Sequence, residues 1–99
     1  MTEPKRRAMI VPPSMDHDPV EVTPENGTDF TLDEMQAAVG GNIEVVPIPK
    51  EGLCGGVYAN AIVNEEGFLL DMETNGFVSV VLGRPIVGSV LLILDGQIK

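Results

Sequence analysis

The fold of this chain is decided by residues 30–46, which read FTLDEMQAAVGGNIEVV. Thr31 and Glu34 stand three residues apart, as in a capping box, and therefore predict the start of a helix. Gly40 predicts its end, because glycine readily adopts the left-handed conformation that follows a last helical turn. The alternating apolar residues of 42–48 then predict a strand. A short helix that turns directly into a strand is typical of an α+β domain.

Strand patterns recur on both sides of this stretch. The segments that carry them are 6–11, 20–23, 57–63, 68–71 and 86–94. Residues 64–67, NEEG, have the composition of a type I turn, and the strongly apolar segment 86–94 predicts a central strand covered on both faces. We therefore predict an α+β fold: a mainly antiparallel sheet of about five strands with one or two short helices packed on it. A β-grasp-like arrangement, with two early strands followed by a helix, is the alternative.

Residues 75–83 permit two interpretations. Their apolar side chains recur at helical spacing, Asn75 suits an N-cap, and Gly83 with Pro85 suits a helix end. The three valines of the segment instead favour a strand. We favour the short helix.

Length and composition predict one domain, residues 1–99, with an aliphatic core. A chain of 99 residues buries enough surface for one modest core. It contains no Trp, one Tyr and three Phe, so Val, Ile, Leu and Met must fill the interior. Residues 1–5 are expected to be frayed.

The charge excludes several classes of partner. The formal net charge is −9 with only six basic residues, whereas nucleic-acid binding depends on neutralising phosphates. We therefore expect no direct contact with nucleic acid. We also expect no membrane association, because the longest apolar run, 86–94, is too short to span a bilayer. The single cysteine, Cys54, cannot form an internal disulfide, which fits a cytoplasmic protein.

Several short motifs resemble a known family. They are Val39–Glu44 (VGGNIE), Val63–Gly67 (VNEEG), Asn75 and Ile86–Gly88 (IVG). Together they are similar to the family called domain of unknown function 3846, over a core of residues 30–94. Met72, Glu73 and Thr74 depart from the leucine and proline usual in that family before the later asparagine. The resemblance implies a phage, plasmid or bacterial mobile-element setting and a helix after Asn75; it implies no activity.

No group of residues predicts a reaction, a metal or a cofactor. Asp16, His17 and Asp18 form the one cluster with metal-ligand chemistry, but two carboxylates in a proline-flanked loop without further ligands are usually solvated. His17 is the only histidine, which excludes a histidine pair for acid–base work. Cys54 lies in a glycine-rich loop without a nearby histidine. We predict a protein that is not an enzyme and has no cofactor.

The candidate binding residues are polar side chains on the predicted strand–turn unit and at the second helix. Asn64, Glu65 and Glu66 either form a recognition tip or serve turn geometry and solubility. Tyr58 and Asn60 either line a small polar pocket or occupy a half-exposed sheet face. Asn75 is the sixth candidate, because it lies beside the predicted pocket at the second helix.

Two functions remain open. The first is a non-enzymatic accessory protein of a phage or mobile element that binds a protein partner, with a strand edge near Val20 or Ile48 as the docking site. The alternative is a binder of a small molecule, such as a metabolite or nucleotide, with its pocket between the sheet and the second helix. We also expect a homodimer, because a small domain with a two-sided apolar strand can bury a face against a second copy.

Overall fold

A computed structural model describes residues 8–13, 18–48, 58–67 and 72–94. The elements follow in the order β1 (Ala8–Val11), β2 (Val20–Val22), α1 (Leu32–Val39), β3 (Ile43–Pro47), β4 (Asn60–Asn64), α2 (Gly76–Leu82) and β5 (Val90–Ile93). The strands form one sheet in the order β2-β1-β5-β4-β3, and every neighbouring pair is antiparallel. The predicted α+β class is confirmed. The two early strands that suggested a β-grasp-like fold belong to this antiparallel sheet, and the helix that follows them packs on one of its faces.

The two helices lie on opposite faces of the sheet. Side chains alternate along a strand, so β5 sends Leu91 and Ile93 to one face and Val90 and Leu92 to the other. The first pair packs in a cluster with α1 and the second in a cluster with α2. Each of the four β5 residues is at most 2% exposed. The prediction of a central strand covered on both faces is confirmed, but β5 begins only at Val90.

Each helix builds its own part of the core. The α1 cluster contains Ala8, Phe30, Met35, Val39, Ile62, Leu91 and Ile93, with Ile10, Val22, Ala38 and Ile43 packed against it. The α2 cluster contains Val11, Val46, Ile48, Ala61, Val63, Val78, Val81, Ile86, Val90 and Leu92, with Tyr58 and Leu82 packed against it. Both clusters are almost entirely aliphatic, as the composition predicts.

Helix α1 begins and ends as its sequence predicts. The Thr31 hydroxyl accepts a hydrogen bond from the Glu34 amide at 3.3 Å, and the Glu34 carboxylate accepts one from the Thr31 amide at 2.9 Å. Gly40 is left-handed, with φ of 81°, and its amide donates to the Gln36 carbonyl. The local sequence therefore specifies both ends of this helix.

The ambiguous segment forms helix α2. Asn75 is its N-cap, with its side chain accepting from the Val78 amide, and the left-handed Gly83 ends it. Val78 and Val81 point into the α2 cluster and are buried. The residues of the predicted strand 68–71 and Cys54 lie outside the described ranges, as do the frayed segment 1–5 and most of the Asp16–Asp18 cluster.

Candidate functional site

Asn64 joins the end of β4 to the end of α1. Its side-chain Nδ2 donates to the Val39 carbonyl at 3.1 Å, and its Oδ1 accepts from the Glu66 amide at 2.8 Å. The residue is 6% exposed. The Gly67 amide donates to the Asn64 carbonyl at 3.2 Å, which confirms the predicted turn over residues 64–67. The Asn64 amide group is therefore engaged in holding the fold together.

The Asn75 side chain makes three hydrogen bonds within the fold. Its Nδ2 donates to the carbonyls of Val11 and Gly88, each at 3.0 Å, and its Oδ1 accepts from the Val78 amide at 3.2 Å. The residue is 1% exposed. These bonds connect α2 with β1 and with the chain before β5. A ligand would have to displace them to reach this side chain.

Glu65 and Glu66 lie on the turn that follows β4. Glu65 is exposed and Glu66 is partly buried. The Glu66 carboxylate accepts a hydrogen bond from Asn42 Nδ2 at 2.8 Å, which links this turn to the residue that precedes β3. With Asn64, these two glutamates form a small polar tip at one end of β4.

Tyr58 and Asn60 lie at the opposite end of β4. Asn60 is partly buried and pairs with Pro47 on one side and Ile93 on the other. Tyr58 packs against the α2 cluster, although simple alternation along 57–63 would place it with Ile62 on the α1 face. The reason is that the strand begins at Asn60, so alternation does not extend to Tyr58.

The six candidate residues therefore occupy three places. Asn64, Glu65 and Glu66 share the turn after β4. Asn60 is four residues earlier on the same strand, about 13 Å away at the usual rise of a strand. Asn75 lies at the start of α2. The structure does not bring the six together around one cavity.

The open feature that the sequence did not reveal is an apolar groove beside α1. It has a volume of about 350 Å³. Its lining consists of Ile10, Val22, Thr23, Phe30, Glu34, Ala37, Ala38 and Leu91. Most of these side chains are apolar, and the Glu34 carboxylate also accepts a hydrogen bond from the Glu25 amide at 2.9 Å. We call this feature the α1 groove.

The α1 groove exists because α1 covers only part of its face of the sheet. The helix has eight residues and lies mainly over β3, β4 and β5. The same face of β1 and β2 remains partly open, and Val20 is 58% exposed there. A helix of this length spans about 12 Å and is about 10 Å wide, less than a five-stranded sheet. The length of the predicted helix was the one signal of this groove in the sequence.

A proline lies at one end of each edge strand of the sheet. The Ile48 amide donates to the Ala59 carbonyl and the Glu65 amide donates to the Asn42 carbonyl, so the even-numbered residues of β3 bond to β4. Pro47 therefore faces outward, where its missing N–H leaves a gap in the edge. At the other edge, β2 has three residues and follows Pro19 directly. Neither edge offers the long run of free donors and acceptors that strand addition uses.

A second groove of about 360 Å³ lies at the C-terminal end of α1 and includes Gly40, Met72 and Ser89 in its lining. Within the described ranges, no three His, Cys, Asp or Glu side chains come together as a metal site. Neither of the two helices in those ranges has the length and hydropathy of a membrane span. Of these two grooves, the α1 groove has the more apolar lining.

The comparisons with known proteins agree with the motif resemblance. The family model described as domain of unknown function (DUF3846) matches residues 6–97. This range includes the predicted core of residues 30–94 and extends beyond it at both ends. Comparison with curated proteins and with solved structures found no match to the chain.

Proposed function

We propose that this chain, which belongs to the DUF3846 family, acts by binding a protein partner and has no catalytic activity of its own. The observation that carries the proposal is the α1 groove, an open surface lined mostly by aliphatic side chains. Its one ionisable lining residue, Glu34, is already bonded to the backbone amides of Glu25 and Thr31. Surfaces of this kind are suited to bury apolar side chains of another protein.

The side-chain amides of Asn64 and Asn75 support the same proposal, because their hydrogen bonds are made within the fold. Asn64 and Asn75 are two of the six candidate binding residues, and each makes hydrogen bonds that connect separate elements of the fold. Removing either would leave buried carbonyl groups without a donor. Their role in the fold explains their presence without a ligand.

Two exposed apolar side chains on α2 provide a second surface to compare. Phe77 is 51% exposed and Val80 is 72% exposed, and their spacing of three residues places them side by side on the helix. Neither lines the α1 groove. A partner or a second copy of the chain can therefore use either surface, and experiments must separate them.

The proposal is tested by affinity purification of the tagged chain from its source host. The matched control carries Ala37→Arg and Val80→Arg together, which places a charge on each surface at an exposed position. We expect a stoichiometric protein with the wild-type chain and its loss with the control. Recovery of no stoichiometric protein across several host strains would contradict the proposal.

The setting of this role is also proposed. An accessory role in a phage or other mobile element rests on the motif resemblance, and a cytoplasmic location rests on the single cysteine, Cys54. Gene neighbourhood in the source genome tests the first, and fractionation of expressing cells tests the second. A chromosomal housekeeping neighbourhood would contradict the mobile-element setting.

The small-molecule alternative keeps one supporting observation, which is the size of the α1 groove. Its volume lies near the lower end of those that hold small ligands. Asn75, which motivated a pocket at the second helix, is saturated by hydrogen bonds within the chain. Native mass spectrometry of freshly purified protein separates the two functions. A metabolite bound at fixed stoichiometry would favour the alternative.

A further inference from the structure

We propose that the occupant of the α1 groove is a basic amphipathic helix of the partner protein. This inference rests on the proposed function, since it names the partner chemistry for the same surface. Three observations carry it: the width of the uncovered sheet, the small side chains that α1 turns toward it, and the charge of the segment that borders it.

The width of the uncovered surface fits one helix. The groove lies over β1 and β2, two neighbouring strands whose axes are about 5 Å apart. On this face Val20 is exposed and Ile10 and Val22 are partly exposed, whereas Ala8 of β1 is fully buried. The open strip therefore runs along β2 and the adjoining end of β1 and is at most about 10 Å wide, the diameter of one α-helix with its side chains. A helix in this strip would lie beside α1 on the same face and complete the layer that α1 begins.

The side of α1 that faces the groove allows a second helix to approach closely. Ala37 and Ala38 line the groove, so the wall contributed by α1 has small side chains. Helix axes approach to about 8 Å where the contact residues are small. The floor is aliphatic: Ile10 and Val22 are partly exposed and would receive the apolar stripe of the incoming helix, while Leu91 beneath them is buried.

The charge around the groove selects a basic occupant. The described ranges hold ten carboxylates, of which six lie within residues 18–34: Asp18, Glu21, Glu25, Asp29, Asp33 and Glu34. The other four are Glu44, Glu65, Glu66 and Glu73. Residues 18–34 supply Val22, Thr23, Phe30 and Glu34 to the groove lining, so this acidic segment borders the groove. Glu21 is the exception, because alternation along β2 places it on the opposite face of the sheet from Val22.

Positive charge in the described ranges lies elsewhere. Arg84 is the only basic residue in them, and it follows α2, where it pairs with Glu44 at 3.2 Å. Lysine and arginine on the polar face of an incoming helix would therefore meet an acidic rim without a competing cation from these ranges. A second copy of the chain has a net charge of −9 and offers no excess of basic side chains to this rim, so we infer a partner of different composition.

The helix is favoured over an added strand by the edges of the sheet. β2, the edge beside the groove, has three residues and follows Pro19, while the outward position of β3 at Pro47 lacks an N–H. Strand addition draws its affinity from a continuous ladder of backbone hydrogen bonds, which neither edge provides.

Site-specific photo-cross-linking in the source host tests this inference. A photoreactive amino acid is placed at Thr23 or Ala37 in the α1 groove and, as a matched control, at Val80 on α2; all three positions are exposed. Ala37 also lines the second groove and Thr23 does not, so a cross-link from both assigns the partner to the α1 groove. We expect a cross-link to a partner from positions 23 and 37 and none from position 80. Mass spectrometry of the cross-linked peptide should identify a lysine- or arginine-rich segment with apolar residues at helical spacing.

A synthetic peptide of the cross-linked segment then serves as the probe. We expect it to gain helical circular dichroism on binding, to lose at least tenfold in affinity for Ala37→Arg, and to change less than twofold for Val80→Arg. Its affinity should also fall between 50 and 200 mM salt, because the attraction to the acidic rim is screened.

The outcomes of these experiments distinguish the basic-helix inference from the proposed function, protein-partner binding, on which it rests. A cross-link from position 80 alone, or to an acidic or extended segment, would overturn this inference and leave partner binding intact. A cross-link to a second copy of the chain would make the groove a self-association surface and would also overturn it. Cross-links from none of the three positions, together with no co-purified partner, would contradict the proposed function itself.

Discussion

The two helices are held at their N-termini by different means. Helix α1 is capped by Thr31 and Glu34, two residues that are three positions apart in the chain. Helix α2 is capped by Asn75, whose side chain also donates to the carbonyl of Val11, 64 residues away, and to that of Gly88. The start of α1 is therefore a local property of the sequence, whereas the start of α2 is part of the tertiary structure.

The comparison is sharpest at Asn75, where we expect the largest loss of stability. Asn75→Asp keeps an oxygen that can cap the helix but replaces the donor to two buried carbonyls with a carboxylate oxygen. We expect the free energy of unfolding to fall by about 3 kcal/mol or more, because buried carbonyls lose their partner and a charge is buried. Urea denaturation followed by circular dichroism measures this change.

Asn75→Ala provides the control for that experiment, because it removes the cap and both donated bonds without adding a charge. If capping were the main role of Asn75, the aspartate variant would be close to wild type and the alanine variant would lose about 1 kcal/mol. That result would mean that the two helices begin in the same way after all.

The end of α1, like the start of α2, is held by a buried asparagine side chain, so we expect its replacement to lower the free energy of unfolding as well. Asn64→Ala leaves the Val39 carbonyl without its side-chain donor and the Glu66 amide without its acceptor. We expect a loss of about 2 kcal/mol, since unsatisfied buried groups cost about 1–3 kcal/mol. Thermal unfolding by calorimetry measures it. A loss below about 0.5 kcal/mol would show that Gly40 alone fixes the end of this helix.

A smaller effect is expected at the local cap of α1. Thr31→Ala should cost about 1 kcal/mol and Thr31→Asp should be nearly neutral, because aspartate is as good an N-cap as threonine. The contrast with Asn75→Asp is the test, since the same new side chain is tolerated at one helix start and excluded at the other. Equal losses at both positions, measured by urea denaturation, would remove the distinction.

We expect the smallest change in stability at Ala37 and Val80, the two exposed positions used to test the surfaces for binding. Ala37→Arg and Val80→Arg should each change the free energy of unfolding by less than about 0.5 kcal/mol, as surface substitutions usually do. Thermal melts of the purified variants check this. A loss above 1 kcal/mol for either would mean that its binding phenotype includes a change in folding.

A homodimer remains a prediction, and the two variants help to test it. Light scattering of the wild-type chain should give the mass of two chains if the expectation is right. Val80→Arg should then shift the mass toward one chain if the dimer uses the exposed face of α2, and Ala37→Arg should do so if it uses the α1 groove. A mass near that of one chain for the wild type would refute the dimer.

The same contrast explains how much the sequence could predict. The capping box at Thr31 and Glu34 and the glycine at position 40 are local signals, and the structure confirms each. Residues 75–83 were ambiguous because the bonds that fix Asn75 come from Val11 and Gly88, which no local pattern reveals. The strand β5 was recognised because burial on both faces leaves only apolar residues.

The candidate site was less predictable for a related reason. Asn64 and Asn75 attract notice because polar residues in apolar surroundings are rare, but the same surroundings explain why each must bond within the fold. The α1 groove depends on how far α1 reaches across the sheet, which follows from packing. Ala37 and Ala38 carry no chemical signal of their own, so no binding role could be predicted for them from the sequence.

The position of β5 also determines how the chain must fold. The hairpin-like pairs β1–β2 and β3–β4 make no strand contact with each other, and β5 pairs with one member of each. A two-stranded unit without a helix packed on it is at best marginally stable alone, although it can form within microseconds. Helix α1 packs on β3 and β4, whereas β1–β2 depends on β5 for its place in the sheet. The β1–β2 pair is therefore not expected to persist until residues about 80 positions apart, such as Val11 and Val90, have met. Completion of the sheet is accordingly governed by closure of that long loop.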